Sequence, residues 1–422
     1  MTGIKSKNGF GEIKVMIKVI REYQKQVCPS QEEYFDKNKN KMKKQWINSR
    51  ADKETRYSIF YIHKEMHINE KVRWSIELIK MALKKAARPV VSCSFGIDSI
   101  ITLYLTRRAL MELERDPSDI DIVWNDTKNE FQDVRLYAKE MVEQWNLRLI
   151  KTAPKKVLKK IISDHGGVDS SYFFTRKGDR RNGRPLSEKC CGTLKHEPMK
   201  RATKENNWDL IINGLRADES TQRLRAGLRD GDYFYSVAEW KAFVCRPIQW
   251  ITEEEIWKIV EKFEIPYNDL YNKNLIKKYP PTKSIRDNYS LIKELGLEPE
   301  EFLKENIQTV SRPQAIQLEK IGFEIFTPRT GCQMCPIPVK YGYLHWMRTY
   351  YPKVYDAMVY NLGYGKALIE MIPEDIQEEI KEFTGIDIHA ENAHEYLQEI
   401  LEVKPCALDG FKDQRKKLVK NT

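Results

Sequence analysis

The sequence predicts an α/β fold built on a doubly wound, parallel five-stranded sheet of the Rossmann-like kind, with helical N- and C-terminal additions. Three observations predict it. Short apolar runs alternate with stretches of helical periodicity from about residue 88 to about residue 272. Small and polar residues gather just after those runs, where an open parallel sheet holds its ligand. The stretch Val90-Val-Ser-Cys-Ser-Phe-Gly-Ile-Asp-Ser99 passes from an apolar strand through a small-residue turn into a helix. Such a turn aims backbone N–H groups and a positive dipole end at one spot, which suits a phosphate. By itself it is also an ordinary capped strand-to-helix turn.

In chain order, residues 1 to about 87 read as helical and basic, with the densest cationic run at Lys37–Lys44. Trp74 to Ala87 is an amphipathic helix that Arg88-Pro89 stops. The expected strands are Val90–Ser94, Asp119–Trp124, Leu147–Ile150, Leu210–Ile212 and Phe243–Cys245, with a helix from about Phe131 to Gln144. At their ends lie Ser94–Ser99, Asn125–Thr127, Asn213–Ser220 and Arg246. Residues 273–328 form an insert with helical patterns at Pro299–Asn306 and Pro313–Lys320, and 329–350 carry the turn with Cys332 and Cys335. Residues 351–422 read as a helical region with a basic tail; helices are expected at Tyr343–Leu362, Asp375–Phe383 and Glu391–Val403.

The chain has 422 residues, is 41% hydrophobic and carries a formal net charge of +11, with a pI near 9.0. That balance points to a polyanionic partner, a nucleotide or a nucleic acid. No run of about 18 apolar residues occurs, so no membrane span is predicted. Met1-Thr-Gly-Ile-Lys lacks the apolar core of a secretory signal, and a cytoplasmic location is expected.

Eight cysteines are too few for a disulfide scaffold of this size. Two pairs stand out, Cys190-Cys191 and Cys332-Gln-Met-Cys335. Together they offer four thiolates, enough for zinc or an iron–sulfur cluster. Adjacent helical side chains diverge by about 100°, so both reach one object only if it is large. Spacing leaves three readings open: a cluster, a zinc ion, or a redox C-x-x-C beside an unrelated buried pair.

Jointly these segments resemble the phosphoadenylyl-sulfate (PAPS) and adenylyl-sulfate (APS) reductase family, within the wider PP-loop, adenine nucleotide alpha-hydrolase-like superfamily. Ser94-Phe-Gly-Ile-Asp-Ser99 is similar to its phosphate loop, and Asn125-Asp-Thr-Lys-Asn-Glu-Phe131 to the element after the second strand. Lys189-Cys-Cys-Gly-Thr-Leu-Lys195…Pro198 resembles the paired-cysteine helix, and Gly214-Leu-Arg-Ala-Asp-Glu-Ser220…Arg223 the segment after the fourth strand. Arg246-Pro-Ile-Gln-Trp and Ile265-Pro-Tyr-Asn268 resemble the closing module, and Thr330-Gly-Cys-Gln-Met-Cys-Pro336 the second cysteine pair. The resemblance spans about residues 88–272 and 329–350.

It implies a 4Fe–4S cluster on Cys190, Cys191, Cys332 and Cys335, beside a site for ATP or an APS/PAPS-type adenine nucleotide. Ser94, Phe95, Gly96, Ser99, Asp126, Thr127, Gly214 and Arg246 would bind the nucleotide. Asp98, Arg216 and Arg223 would be the catalytic set, with Asp98 and Asp126 able to hold Mg²⁺ or to order the loop. The implied activity is sulfur transfer or activation, as in the DNA phosphorothioation sulfurtransferase-like relatives. A nucleic acid or a sulfur-donor or sulfur-acceptor protein would be the partner, and self-association is compatible with it. Reduction of APS or PAPS to sulfite is the alternative, and a non-catalytic nucleotide-binding assembly subunit the second alternative.

Three departures matter. Many ATP-cleaving relatives have Gly and Lys where this chain has Phe95 and Ile97. Lys128 stands where the family often has Gly. The Glu-Cys-Gly-His-like motif of the reductases is not matched, and Cys406 is the only cysteine near the C-terminal end. Cys93 and Cys245, on strands, are expected to be buried and inert.

Overall fold

The structure, a computed structural model, describes residues 30–36, 40–47, 57, 60–168, 186–236, 240–307, 309–369, 372, 374–390, 393–397 and 399–400. The chain falls into two compact units. The first comprises residues 1–125, 134–152 and 199–268; the second comprises 126–133, 153–198 and 269–422. Segments 126–133 and 153–198, placed by the sequence reading within the 88–272 domain, thus group with the C-terminal part.

In the first unit the described N-terminal residues form an antiparallel hairpin, β1 (Ser30–Asp36) with β2 (Lys41–Ile47), where the sequence pointed to helix. The helix Ile68–Lys85 follows, beginning well before the expected start at Trp74. His67 is its N-cap and Glu70 completes a capping box. Trp74, Ile76, Leu78 and Ile79 are buried along it. Asp209 then accepts hydrogen bonds from the N–H groups of Ala87 (2.7 Å) and Arg88 (2.8 Å), fixing the entry to the sheet.

The sheet has six strands: β3 (Pro89–Ser92), β4 (Asp121–Asn125), β5 (Arg148–Thr152), β6 (Leu210–Asn213), β7 (Tyr233–Ser236) and β8 (Ala242–Cys245), in the order β5-β4-β3-β6-β8-β7. Five strands are parallel, as expected. The sixth, β7, is added antiparallel at the β8 edge. Val90 and Val91 are fully buried, consistent with a strand covered on both faces. The chain runs outward from β3 to β4 and β5, then returns to lay β6 on the other side of β3. The order therefore reverses between β3 and β6, with Ser92 paired to Asn213 at their C-terminal ends. A ligand crevice belongs at such a reversal, and the Ser94–Ser99 and Gly214–Ser220 segments both emerge from it.

In the second unit, residues expected to be a helical insert contain a three-stranded antiparallel sheet. Its order is β10-β9-β11, with β9 (Asn274–Lys278), β10 (Thr309–Val310) and β11 (Glu324–Phe326). The helices Pro299–Leu303 and Arg312–Lys320 lie where helical periodicity placed them. Ile276, Ile285, Phe302, Val310, Leu318 and Phe323 share one apolar core. The helix expected over Tyr343–Leu362 is broken into Tyr343–Tyr350, Pro352–Asp356 and a π-helical turn, Ala357–Asn361, because Pro352 cannot continue the first segment. Glu374–Thr384 matches the next expected helix. Of the last, Ala393–Tyr396 is a 3₁₀ turn, and the basic tail lies outside the described residues. Among the described residues no helix is long and apolar enough to cross a membrane.

Candidate functional site

The phosphate-loop segment is built by its own side chains. Phe95 adopts left-handed backbone (φ +58°), a conformation that Gly takes without strain and other residues rarely take. Its ring is fully buried and meets the Trp124 ring edge-on at 5.3 Å. Gly96 is the N-cap of the helix Ile97–Glu112 and offers that helix no side-chain cap. Ser99 is buried, and its hydroxyl donates to the Gly96 carbonyl (2.8 Å) while accepting from the Ser94 N–H (3.2 Å). Ser94 Oγ lies 3.3 Å from Ser99 Oγ. Ser99, expected to cradle phosphate, thus braces the turn from within.

Gly214, just after β6, is required by close approach. A Cβ there would stand 2.6 Å from the Asp98 carbonyl oxygen and 2.8 Å from Thr102 Oγ1. Arg216, also buried, donates through Nε to Asp98 Oδ1 (2.7 Å) and through a terminal nitrogen to Asp218 Oδ2 (3.1 Å). Burial raises the Asp98 pKa; the Arg216 guanidinium opposes this without cancelling it, so the carboxyl titrates above its ordinary range. Arg223 pairs with Glu219 one helical turn away, as their spacing predicts. The expected catalytic trio therefore contains a preformed ion pair, Asp98 with Arg216. Arg246 sits over the Phe234 ring, 4.7 Å from its centroid.

The cysteine site lies wholly in the second unit. The helix Leu186–Cys191 ends on the cysteine pair and passes directly into a π-helical turn, Gly192–His196. Such widened turns recur at functional sites. Cys190, Cys191, Cys332 and Cys335, all unoxidised, line one cavity of about 60 Å³ with Asn129, Lys195 and Met334. Among the described residues, no three His, Cys, Asp or Glu side chains are gathered as a single metal ion requires. The four thiols surround a space instead.

Burial pushes the Cys335 thiol up to about 12, and those of Cys190 and Cys332 also upward, while Lys195 works in the opposite direction. Desolvation disfavours the Lys195 charge, but Cys332, Cys191 and Glu130 outweigh this and hold its pKa above the usual lysine value.

Residues 126–130 join this site. Lys128 takes left-handed backbone (φ +59°), and its N–H donates to Asp126 Oδ1 (2.8 Å). Thr127 is buried; its hydroxyl donates to Glu130 Oε1 (2.6 Å) and accepts a weak bond from Cys332 Sγ at 3.6 Å. Thr127, expected at the nucleotide, thus also touches Cys332 of this cavity. Glu130 forms a backbone bridge with Cys332. Burial leads the upward shift of its carboxyl, against the Thr127 hydrogen bond and Lys195. Asn129, within an element the sequence had marked but never itself singled out, accepts from Gln333 N–H at its carbonyl (2.7 Å) and from Met334 N–H at Oδ1 (3.3 Å). Nothing in its local spacing announces this role. Tyr343 and Tyr364 donate to the Gln333 and Met334 carbonyls from the other side.

Cys93 and Cys245 are buried on their strands, and burial raises both thiol pKa values, Cys93 to about 11. Cys28 and Cys406 lie outside the described residues.

A doubly wound, mostly parallel sheet with a small-residue loop at the strand reversal defines the class of doubly wound α/β proteins that bind ligands at that reversal. Within that class, the chain belongs to the phosphoadenosine phosphosulfate reductase domain family, whose family model matches residues 88–338. It is similar to the adenosine 5'-phosphosulfate reductase of Halalkalibacterium halodurans, 26% identical over 200 residues, 47% of this chain and 75% of the relative. The enzyme of the same name from Bacillus cereus is 25% identical over 206 residues, 48% of this chain and 76% of the relative. Among solved structures, phosphoadenylyl-sulfate (PAPS) reductase from Candida auris aligns with a TM-score of 0.35 and 15% identity, covering 51% of this chain and 89% of that one.

Proposed function

We propose that this chain is an iron–sulfur enzyme of the PAPS reductase family that binds ATP or a related adenine nucleotide at Ser94–Ser99 and carries out sulfur transfer or activation. The observation that carries the reading is the convergence of Cys190, Cys191, Cys332 and Cys335 on one cavity. The donor set is all thiol, which suits iron–sulfur chemistry, and all four thiols line one cavity. Asn129 Nδ2, a buried donor without a hydrogen-bond partner, is a second sign of fit, since such a group calls for an acceptor. A bound 4Fe–4S cluster would supply electron transfer, sulfur handling or structural cross-linking.

The chain's own residues account for the rest. The uncapped helix start at Gly96, backed by the Ser94–Ser99 brace, offers main-chain N–H groups to a nucleotide phosphate. Asp98, held by Arg216, either orders this loop or helps hold Mg²⁺. Arg223 and Arg246 supply cationic charge for phosphate or sulfate oxygens. The net charge of +11 favours a nucleic acid as sulfur acceptor.

Sulfite release from APS or PAPS is a second reading, favoured by the two APS reductase relatives at about 25% identity. It requires a nucleophilic thiol, and Cys406 is the one sequence candidate. Anaerobic preparation separates the readings. The first expects about four iron and four sulfide per chain, loss of colour in Cys332→Ser, and nucleotide binding with negligible thiol-dependent sulfite from APS or PAPS. Robust sulfite release that disappears in Cys406→Ser would establish the second. Stoichiometric zinc without iron in an iron-replete preparation would overturn the cluster.

A further inference from the structure

We infer that Asn129 is a positioning residue of the cysteine site, its side-chain N–H donating a hydrogen bond to a sulfur of the group the four cysteines hold. The inference rests on the cluster reading and goes beyond it to a residue with no ligand role of its own.

Four observations converge on Asn129. It is 6% exposed and lines the same cavity as all four thiols. Its orientation is set by hydrogen bonding: Met334 N–H can only donate, so the atom facing it at 3.3 Å must be Oδ1, and the amide cannot be turned over. The remaining atom, Nδ2, is buried and has no partner. An unsatisfied buried amide donor is destabilising, so the fold retains it at a loss unless something accepts from it. Finally, the residue cannot easily swing away. Its carbonyl takes the Gln333 N–H at 2.7 Å, its N–H reaches Thr127 Oγ1 at 3.3 Å, and Glu130 beside it bridges to Cys332.

Sulfur is the acceptor chemistry the cavity offers. Thiolates and sulfides carry excess negative charge, and hydrogen bonds to them raise a cluster's reduction potential by stabilising the electron-rich state. Asn129 therefore joins two tasks. Oδ1 fixes the main chain between Cys332 and Cys335, and Nδ2 tunes the charge those cysteines surround.

The test uses the full chain prepared anaerobically, with two variants that separate the tasks. Asn129→Asp keeps an oxygen for the Met334 N–H but removes the donor; Asn129→Ala removes both. Metal analysis of the wild type comes first, and an iron-free wild type would overturn the cluster reading and this inference with it. With iron present, both variants are expected to disfavour the reduced cluster tenfold or more, which is about 59 mV for a one-electron couple. Pulsed EPR of the reduced wild type, labelled with ¹⁵N-asparagine and exchanged into D₂O, should show nitrogen and deuteron couplings that vanish in Asn129→Asp. That loss stands even if Asn129→Ala fails to load iron. Wild type without those couplings, or a potential that moves only in Asn129→Asp and so reports its added charge, would overturn the inference while leaving the cluster reading intact.

Discussion

Replacing Phe95 by Gly and by Ala sets two opposed effects against each other at one position. Phe95 is fully buried, with Trp124 edge-on at 5.3 Å, and its backbone is left-handed at φ +58°. Left-handed backbone costs a non-glycine residue about 1–2 kcal/mol. Removing a buried phenyl ring costs about 3–5 kcal/mol. Packing therefore wins, and both variants should be less stable than wild type. Their order is the informative part. Ala loses the ring and keeps the backbone cost, whereas Gly loses nearly the same contacts and is relieved of that cost. After allowing about 0.5–1 kcal/mol for the greater freedom of Gly in the unfolded chain, Phe95→Gly should exceed Phe95→Ala by about 0.8 kcal/mol, within a range of about 0–1.5. In ordinary strand or helix positions the order is the reverse. Urea unfolding followed by tryptophan fluorescence, with the slope compared among the three proteins, measures it. An alanine variant as stable as the glycine variant, or more so, would refute the proposition that Phe95 is held in the left-handed region by its ring.

Gly214→Ala should cost about 1–3 kcal/mol, because the new Cβ would stand 2.6 Å from the Asp98 carbonyl and must displace either the helix start or the turn after β6. Isothermal titration with ATP should show weakened binding in the same variant; unchanged stability and affinity would mean the turn has room to move. In the second unit, burial would raise the Asp133 carboxyl, but hydrogen bonds from Lys273 and Tyr351 outweigh it and hold its pKa below the ordinary 3.8. A depressed folded pKa contributes stability above the unfolded value that is lost as pH falls through the folded one. Asp133→Asn should therefore be destabilised at pH 7 by about 1.5–3 kcal/mol, with the gap from wild type closing below pH 4; a gap independent of pH would exclude this origin.

The parallel strands were legible because each is a short apolar run bounded by turn residues, and a strand covered on both faces leaves that mark. Strand β7 was not. Tyr233–Ser236 is four residues long and owes its place to pairing with β8, a partner local pattern does not specify. The hairpin β1–β2 escaped for a related reason: Lys41-Met-Lys-Lys carries charge where strand propensity asks for β-branched or aromatic residues. The cysteines were legible by type and spacing. Lys195, in a quoted segment, gave no sign of its electrostatic coupling, and Asp98 with Arg216 is separated by more than a hundred residues in sequence. The charge of Arg216 leads one to expect a contact with phosphate or sulfate oxygens, and sequence does not show the Asp98 carboxylate that it also bonds in the fold.

The C-x-x-C turn between Cys332 and Cys335 is held by main-chain atoms of Gln333 and Met334. Asn129 accepts both N–H groups, and Tyr343 and Tyr364 donate to both carbonyls. Neither Gln333 nor Met334 needs its own side chain for this grip. Mutational tolerance at the two positions should thus be wide, with proline the exception, since it removes the N–H that Asn129 receives. The anchors carry the constraint instead: two tyrosines, 10 and 30 residues after the groups they bond, and one asparagine 205 residues before. A substitution scan of this loop would register them as the sensitive sites while the residues between the cysteines drifted, so the fidelity of the turn is encoded outside the turn.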